Sequence, residues 1–151
     1  MKIYLSSDHA AFDLKAEIYR HLQEKGYSVE DMGPETDDSV NWAEYGAKAA
    51  AKVSAQPDRC RGIIICGSGI GMSIVSNKFK NVRAALCNEP YMAEMSRKHN
   101  NANVLNIGAR VVDSKKALEI VDIWLNTDFE GGRHQNRLDY LNRNVEENNF
   151  K

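Results

Sequence analysis

The sequence is poor in cysteine and proline, with three of each in 151 residues. Cys60, Cys66 and Cys87 are odd in number, have no metal-ligand spacing and form no Cys-x-x-Cys pair. That argues for a reduced, cytoplasmic protein and against a thiol redox protein. Charge of one sign is also lacking: charged residues make up 27% of the chain, yet the net charge is −1. No global field draws such a chain to nucleic acid or to a membrane surface. No apolar run approaches the ~20 residues needed to span a bilayer. Met1 to Leu5 runs straight into Ser6-Ser7-Asp8-His9, which is not the pattern of a signal peptide. There is no internal repeat, linker or low-complexity tract, so residues 1–151 read as one domain with room for a core.

What the sequence does hold is an alternation of strand-like and helix-like stretches. Strands are expected at Ile3–Ser7, Tyr27–Met32, around Ile63–Ile65, at Val82–Cys87 and at Val104–Gly108. Helices are expected at about 10–25, 42–55, from Ile70 onward, at 90–100 and at 112–124. Gly26 is a helix stop, Pro90 sits where a first turn tolerates proline, and Ser114 is a possible N-cap. Leu14, Ile18 and Leu22 mark one buried stripe, and Leu118, Val121 and Leu125 another. The alternation predicts an α/β fold with a parallel sheet covered by helices on both faces. The tail, 132–151, breaks the pattern. It predicts a polar helix at about 135–147 with only Leu138, Leu141 and Val145 on its stripe, suited to lying across a partner subunit or, as the alternative, to being a solvated face.

The most informative stretch is Gly62-Ile63-Ile64-Ile65-Cys66-Gly67-Ser68-Gly69-Ile70-Gly71. A β-branched apolar run reads as a strand buried on both faces, followed by a glycine-rich turn into a helix. Gly67, Gly69 and Gly71 permit positive φ and close approach of a ligand. Cys66 then stands at the carboxyl end of a central strand, where open α/β sheets bind ligands and where free amides favour an anion. It reads equally well as a buried small hydrophobe or as a poised thiol. The turn lacks the Lys-Ser/Thr ending of a P-loop and is not G-x-G-x-x-G.

Parallel strands also bring Asp8, His9, Asn88, Glu89 and Arg110 to that edge. Asp8 doubles as a helix N-cap, and His99 as a cap at a helix C-terminus. Arg133, His134 and Arg137 span about one helical turn after Gly131-Gly132, a placement that suits phosphate or, equally, surface ion pairing. No two histidines stand at ligand spacing with a carboxylate, so no metal site is expected. The residues point to a small phosphorylated metabolite handled by acid/base chemistry.

Several segments resemble a known family. These are Asp8 to Lys15, Cys66 to Ser73, Asn77-Lys78, Ser96 to Asn100, Asn103 to Leu105, Gly108 to Val111 and Glu130 to His134. Together, in order and over nearly the whole chain, they closely resemble the type B ribose-5-phosphate isomerases, whose wider family includes galactose-6-phosphate and allose-6-phosphate isomerases. The resemblance implies a Rossmann-like three-layer α/β/α sandwich with an extra C-terminal helix. It implies a homodimer or dimer of dimers with a shared active site, and no metal or organic cofactor. It implies interconversion of ribose 5-phosphate and ribulose 5-phosphate, with Cys66 as the base that moves a proton through a cis-enediolate. By the same resemblance His99 opens the sugar ring with help from Asp8. The loop amides of Gly67, Ser68, Gly69, Ile70 and Gly71 hold the oxyanion, and the Ser68 hydroxyl lies near the sugar oxygens. Asn100 binds the sugar or enediolate, and His9, Arg110, Arg133 and Arg137 contact sugar or phosphate. A glutamate-based branch of the family is disfavoured, because Ser73, Ile74 and Val75 occupy that region and Cys66 is present. Two departures stand out. Asn41-Trp42-Ala43 replaces a frequent Asp-Tyr-Pro close to the sugar, and Asn101 stands where aspartate is common. A hexose 6-phosphate isomerase and a non-catalytic sugar-phosphate binder are the competing readings.

Overall fold

The structure, a computed structural model, describes residues 1–149; the last two residues of the predicted tail lie outside the described residues. Five strands form one sheet: β1 (Lys2–Ser7), β2 (Ser28–Asp31), β3 (Cys60–Cys66), β4 (Ala84–Leu86) and β5 (Val104–Gly108). Their order is β2-β1-β3-β5-β4, and every pairing is parallel. Helices α1 (Phe12–Glu24), α2 (Trp42–Ala55), α3 (Ile70–Ser76), α4 (Pro90–Lys98) and α5 (Ser114–Asn126) connect and cover the strands, after a 3₁₀ turn at His9–Ala11. This is the expected three-layer sandwich.

The strand period of two divides the apolar residues between two cores. Ile3, Leu5, Ile63, Ile65, Leu105 and Ile107 pack with α1, α4 and α5. Tyr4, Ile64, Cys66 and Val104 face the other way, onto Ala49, Ala50 and Val53 of α2 and Met72 of α3. Ile63, Ile64 and Ile65 are all fully buried, and each contributes about 1.5–3 kcal/mol of transfer free energy. Gly46 lets α2 lie close on α3, since a Cβ there would stand 2.7 Å from the Met72 sulfur. The buried ammonium of Lys15 ties α1 to the β2 end through Asp31 at 2.8 Å and the Pro34 carbonyl at 2.7 Å.

Several local expectations are corrected. The side chain that caps α5 is that of Asp113, which accepts from the Lys116 amide at 2.8 Å; Ser114 is the first helical residue. The fully buried positions of α5 are Ala117, Ile120, Val121 and Trp124, while Leu118 and Leu125 are only partly buried. Trp124 wins the stripe because the largest apolar surface gains most from burial. Helix α3 ends at Ser76, and its Ile70 and Ile74 are each 55% exposed. The tail helix begins two residues before its expected start at about 135. It runs as α6 (Arg133–Tyr140), a π-helical stretch (Leu141–Glu146) and a final turn, α7 (Glu147–Asn149). Leu138 is buried, but Leu141 and Val145 are exposed. No helix among the described residues is long and apolar enough to cross a membrane.

Candidate active site

The strand order reverses direction between β1 and β3. From β1 the chain steps outward to β2, then returns past β1 to build the other half. Such a switch point leaves a crevice beyond the carboxyl ends of the two strands. Here those ends are Asp8, one residue past β1, and Cys66, the last residue of β3. They line a cavity of about 380 Å³ together with His9, Ala10, Trp42, Gly67, Ser68, Gly71, Arg110 and Val111. Thus Asp8, His9, Cys66, Gly67, Ser68, Gly71 and Arg110 converge as the sequence predicted.

Cys66 is 5% exposed, and its sulfur accepts a hydrogen bond from the Gly69 amide at 3.2 Å. The Ile70 amide donates to the Ser68 hydroxyl at 3.2 Å. Among the described residues, the amides of Gly67, Ser68 and Gly71 have no protein acceptor. The expected amide cradle is therefore divided: one amide serves the thiol, one the serine, and three stand free.

Only Gly69 of the loop takes a positive φ, at 80°. Gly67 and Gly71 do not use that freedom. Gly71 is needed for a different reason: a Cβ there would meet the Trp42 ring at 3.0 Å, so this glycine lets the indole close one wall of the cavity. The loop is fastened from beyond β5, where the Ala109 and Arg110 amides donate to the carbonyls of Cys66 and Gly67 at 2.9 Å. Asn88 fixes the same corner by accepting from the Gly108 amide at 2.9 Å.

Asp8 is 7% exposed, and its Oδ1 has no hydrogen-bond partner among the described residues. It occupies the N-cap position of the 3₁₀ turn, but its side chain makes no cap bond. A buried, unmatched carboxylate oxygen costs stability unless a ligand fills it. The imidazole Nδ1 of His9 accepts from the Val40 amide at 3.3 Å, which leaves Nε2 as its donor in the neutral ring.

His99 and Asn100 stand elsewhere. With His134, Arg137, Leu138 and neighbours from the tail they line a second cavity, of about 550 Å³, which shares no residue with the first. His99 caps α4, its amide donating to the Met95 carbonyl at 2.9 Å. Its ring stacks on that of His134, with centroids 4.3 Å apart and planes 12° from parallel. His134 is 5% exposed, and its Nδ1 lies 3.3 Å from Arg137 Nη1. Burial first, then the charges of His99, Arg133 and Arg137, hold the His134 imidazole below its ordinary basicity; Glu130 acts the other way. Arg133 opens α6, is exposed, and lines neither cavity. One chain thus distributes the expected site residues over two separate cavities.

The sequence reading missed His134 and Glu130 as members of this cluster. His99, Glu130 and His134 offer ligand atoms within 4.8 Å of one another, so two histidines and a carboxylate do meet in space. Their signal was hidden because the histidines come from different elements. Arg137 against His134 and the charge of Arg133 oppose a dication there, and the same set suits an anion. Trp42 was singled out only as a departure, and here it walls the first cavity.

Comparison with known proteins agrees with this geometry. A family model described as Ribose/Galactose Isomerase matches residues 3–141. The chain is 45% identical over 140 residues to ribose-5-phosphate isomerase B of Escherichia coli, covering 93% of each protein. Among solved structures, ribose-5-phosphate isomerase B of Clostridium thermocellum superposes with a TM-score of 0.90 at 47% identity, over 93% of this chain and 95% of that one. The Mycoplasma genitalium enzyme, solved with bound ribulose 5-phosphate, gives a TM-score of 0.92 at 40% identity and covers 94% of both chains. A parallel sheet with a cysteine and an aspartate at its switch point, matched along nearly its whole length, makes this chain a member of the ribose/galactose isomerase family.

Proposed function

We propose that this protein interconverts D-ribose 5-phosphate and D-ribulose 5-phosphate in the cytoplasm, with Cys66 as the catalytic base and without a metal. The observation that carries the reading is the Cys66 sulfur. It is held by the Gly69 amide at 3.2 Å beside free loop amides and the unmatched Asp8 carboxylate. After the ring opens, the thiolate removes the proton on C2 of the aldehyde sugar. Electrons move onto the carbonyl oxygen, and the amides of Gly67, Ser68 and Gly71 stabilise that oxyanion. The hydroxyl proton on O2 passes to O1 and the thiol returns its proton to C1, which leaves the ketose with atoms and charge balanced and no redox partner.

Ring opening belongs to His99 with Asp8, and phosphate binding to His9, Arg110, Arg133 and Arg137. Those groups lie on two half-sites, so a homodimer that brings His99 of one copy to Cys66 of the other completes the reading. Exposed Ile70 and Ile74 on α3, and Leu141 and Val145 on the tail, give such a dimer an apolar face. The Trp42 ring packed over Gly71 narrows the first cavity, which favours a pentose over a hexose phosphate.

The test is turnover of ribose 5-phosphate after dialysis against chelator, for wild type and Cys66→Ala, with allose 6-phosphate and galactose 6-phosphate for comparison. Wild type is expected to keep its activity on the pentose, and Cys66→Ala to lose roughly 10²–10⁴-fold in kcat, the usual worth of a positioned acid/base group. Preference for a hexose phosphate would move the assignment within the family. Turnover of no sugar phosphate by folded protein would leave a binding protein.

A further inference from the structure

The amino-terminal edge of the sheet, opposite the Cys66 crevice, holds a cluster of arginines that the isomerase reading does not use. Arg61 is the second residue of β3, Arg83 directly precedes β4, and Arg97 lies in the last turn of α4. The three line one small cavity of about 210 Å³, together with Asn101 and Asn103. Arg97 is 4% exposed, and its guanidinium and that of Arg61 both lie over Trp124, 5.9 Å and 5.2 Å from the ring centre.

None of the three makes an ion pair among the described residues, whereas Lys2, Lys15, Lys25, Lys48, Lys98 and Lys116 all do. Their protein partners are few. Arg61 Nη1 reaches the Trp124 carbonyl at 3.5 Å, and Arg83 Nε the Asn101 carbonyl at 3.0 Å. Arg97 uses Nε on the Thr127 carbonyl at 3.3 Å and Nη1 on Asn101 Oδ1 at 2.9 Å and the Ala102 carbonyl at 2.5 Å. Each guanidinium carries five donors, so both terminal nitrogens of Arg83 and the Nη2 groups of Arg61 and Arg97 remain unmatched. Asp58 also lines the cavity mouth but pairs with none of them. Arg97 is a buried cation, Arg61 and Arg83 are half-buried, and the three repel one another; Asp58, Asp128 and Glu146 oppose that repulsion without forming an ion pair with any of them. Burial, then repulsion from Arg61 and Arg83, pushes Arg97 down to about 10.

We propose that this cavity is a binding site for a small multivalent oxyanion of the phosphate class. Forked guanidinium donors match such an anion bidentately, and its charge offsets the repulsion within the cluster. The volume admits a phosphate-sized group and excludes a nucleotide.

Inorganic phosphate titrated calorimetrically into the full chain tests this. Wild type should bind two equivalents per chain, one here and one at the substrate's phosphate position. The double variant Arg61→Gln/Arg83→Gln should lose one equivalent, or bind it at least tenfold more weakly. Arg133→Gln/Arg137→Gln should lose only the other. In phosphate-free buffer Arg83→Gln should hold or raise Tm, because it relieves repulsion, and phosphate should no longer add to it. A merely structural arginine would lower Tm in both buffers. A crystal grown with selenate gives a readout that needs no variant, since anomalous density should stand between Arg61, Arg83 and Arg97. Unchanged phosphate stoichiometry in Arg61→Gln/Arg83→Gln, or selenate confined to the substrate site, would overturn the proposal.

Discussion

Cys66, Cys60 and Cys87 are 5%, 3% and 1% exposed, so exposure alone does not distinguish them. Their surroundings do. Cys87 lies in apolar packing and the Cys60 thiol donates to the Gln56 carbonyl at 3.1 Å, and burial pushes both thiols up, Cys87 to about 11. Cys66 opens onto a cavity and receives an amide hydrogen bond. Iodoacetamide near neutral pH should therefore label Cys66 first, and ribose 5-phosphate should slow the labelling, as read by peptide mass spectrometry. Labelling of Cys87 ahead of Cys66, or no protection by the sugar phosphate, would count against the thiol-base reading. The sequence left Cys66 open between core and catalyst. Its side chain belongs to the α2/α3 core, and its sulfur lies on the cavity wall.

At the scale of elements, the tail is held by few apolar contacts, mainly Leu138 and the buried His134 ring. The imidazole of His134 sits below its ordinary basicity. Between that depressed value and the ordinary ~6.5, the unfolded chain carries a proton that the native chain does not. Stability thus rises with pH through this window and is lost as pH falls through it. Hydrogen exchange of α6 should speed up on mild acidification, and the low-pH slope of Tm should be shallower in His134→Asn than in wild type. An unchanged slope would show that His134 stays neutral for no energetic reason of its own. Asn41 shows a departure that costs nothing locally: its side chain accepts from the Ala43 amide at 3.0 Å and caps α2 as aspartate would. The misplaced cap at Ser114 has the same root, since Asp113 one residue earlier is an equally good cap and only the chain path chooses between them.

At the scale of the molecule, the site residues fall on two cavities of one chain, and a dimer with a shared site makes a quantitative prediction. Cys66→Ala and His99→Asn should each be nearly inactive alone. Mixed, unfolded and refolded together, they should recover about a quarter of wild-type activity, because half of randomly paired dimers carry one intact composite site. No recovery, with dimers re-formed, would mean that Cys66 and His99 of the same chain act together after a rearrangement. The exposed apolar faces of α3 and the tail are the surfaces on which that dimer would be built.

The sequence by itself determined the local elements and the chemistry at the strand ends. β-branched runs, glycine stops and the Cys66 to Gly71 turn are short-range signals, and each depends on residues within one or two turns. It also carried the family, because the motifs lie in order along the chain. Only the tertiary structure decided what depends on contacts between distant segments. The switch point between β1 and β3 gave Asp8 and Cys66 a common cavity. The docking of α6 on the end of α4 stacked His134 on His99. Three arginines from β3, the approach to β4 and α4 met around Trp124. Residues so far apart in sequence carry no shared periodicity, and their meeting is set by strand order and helix packing, which no local pattern encodes.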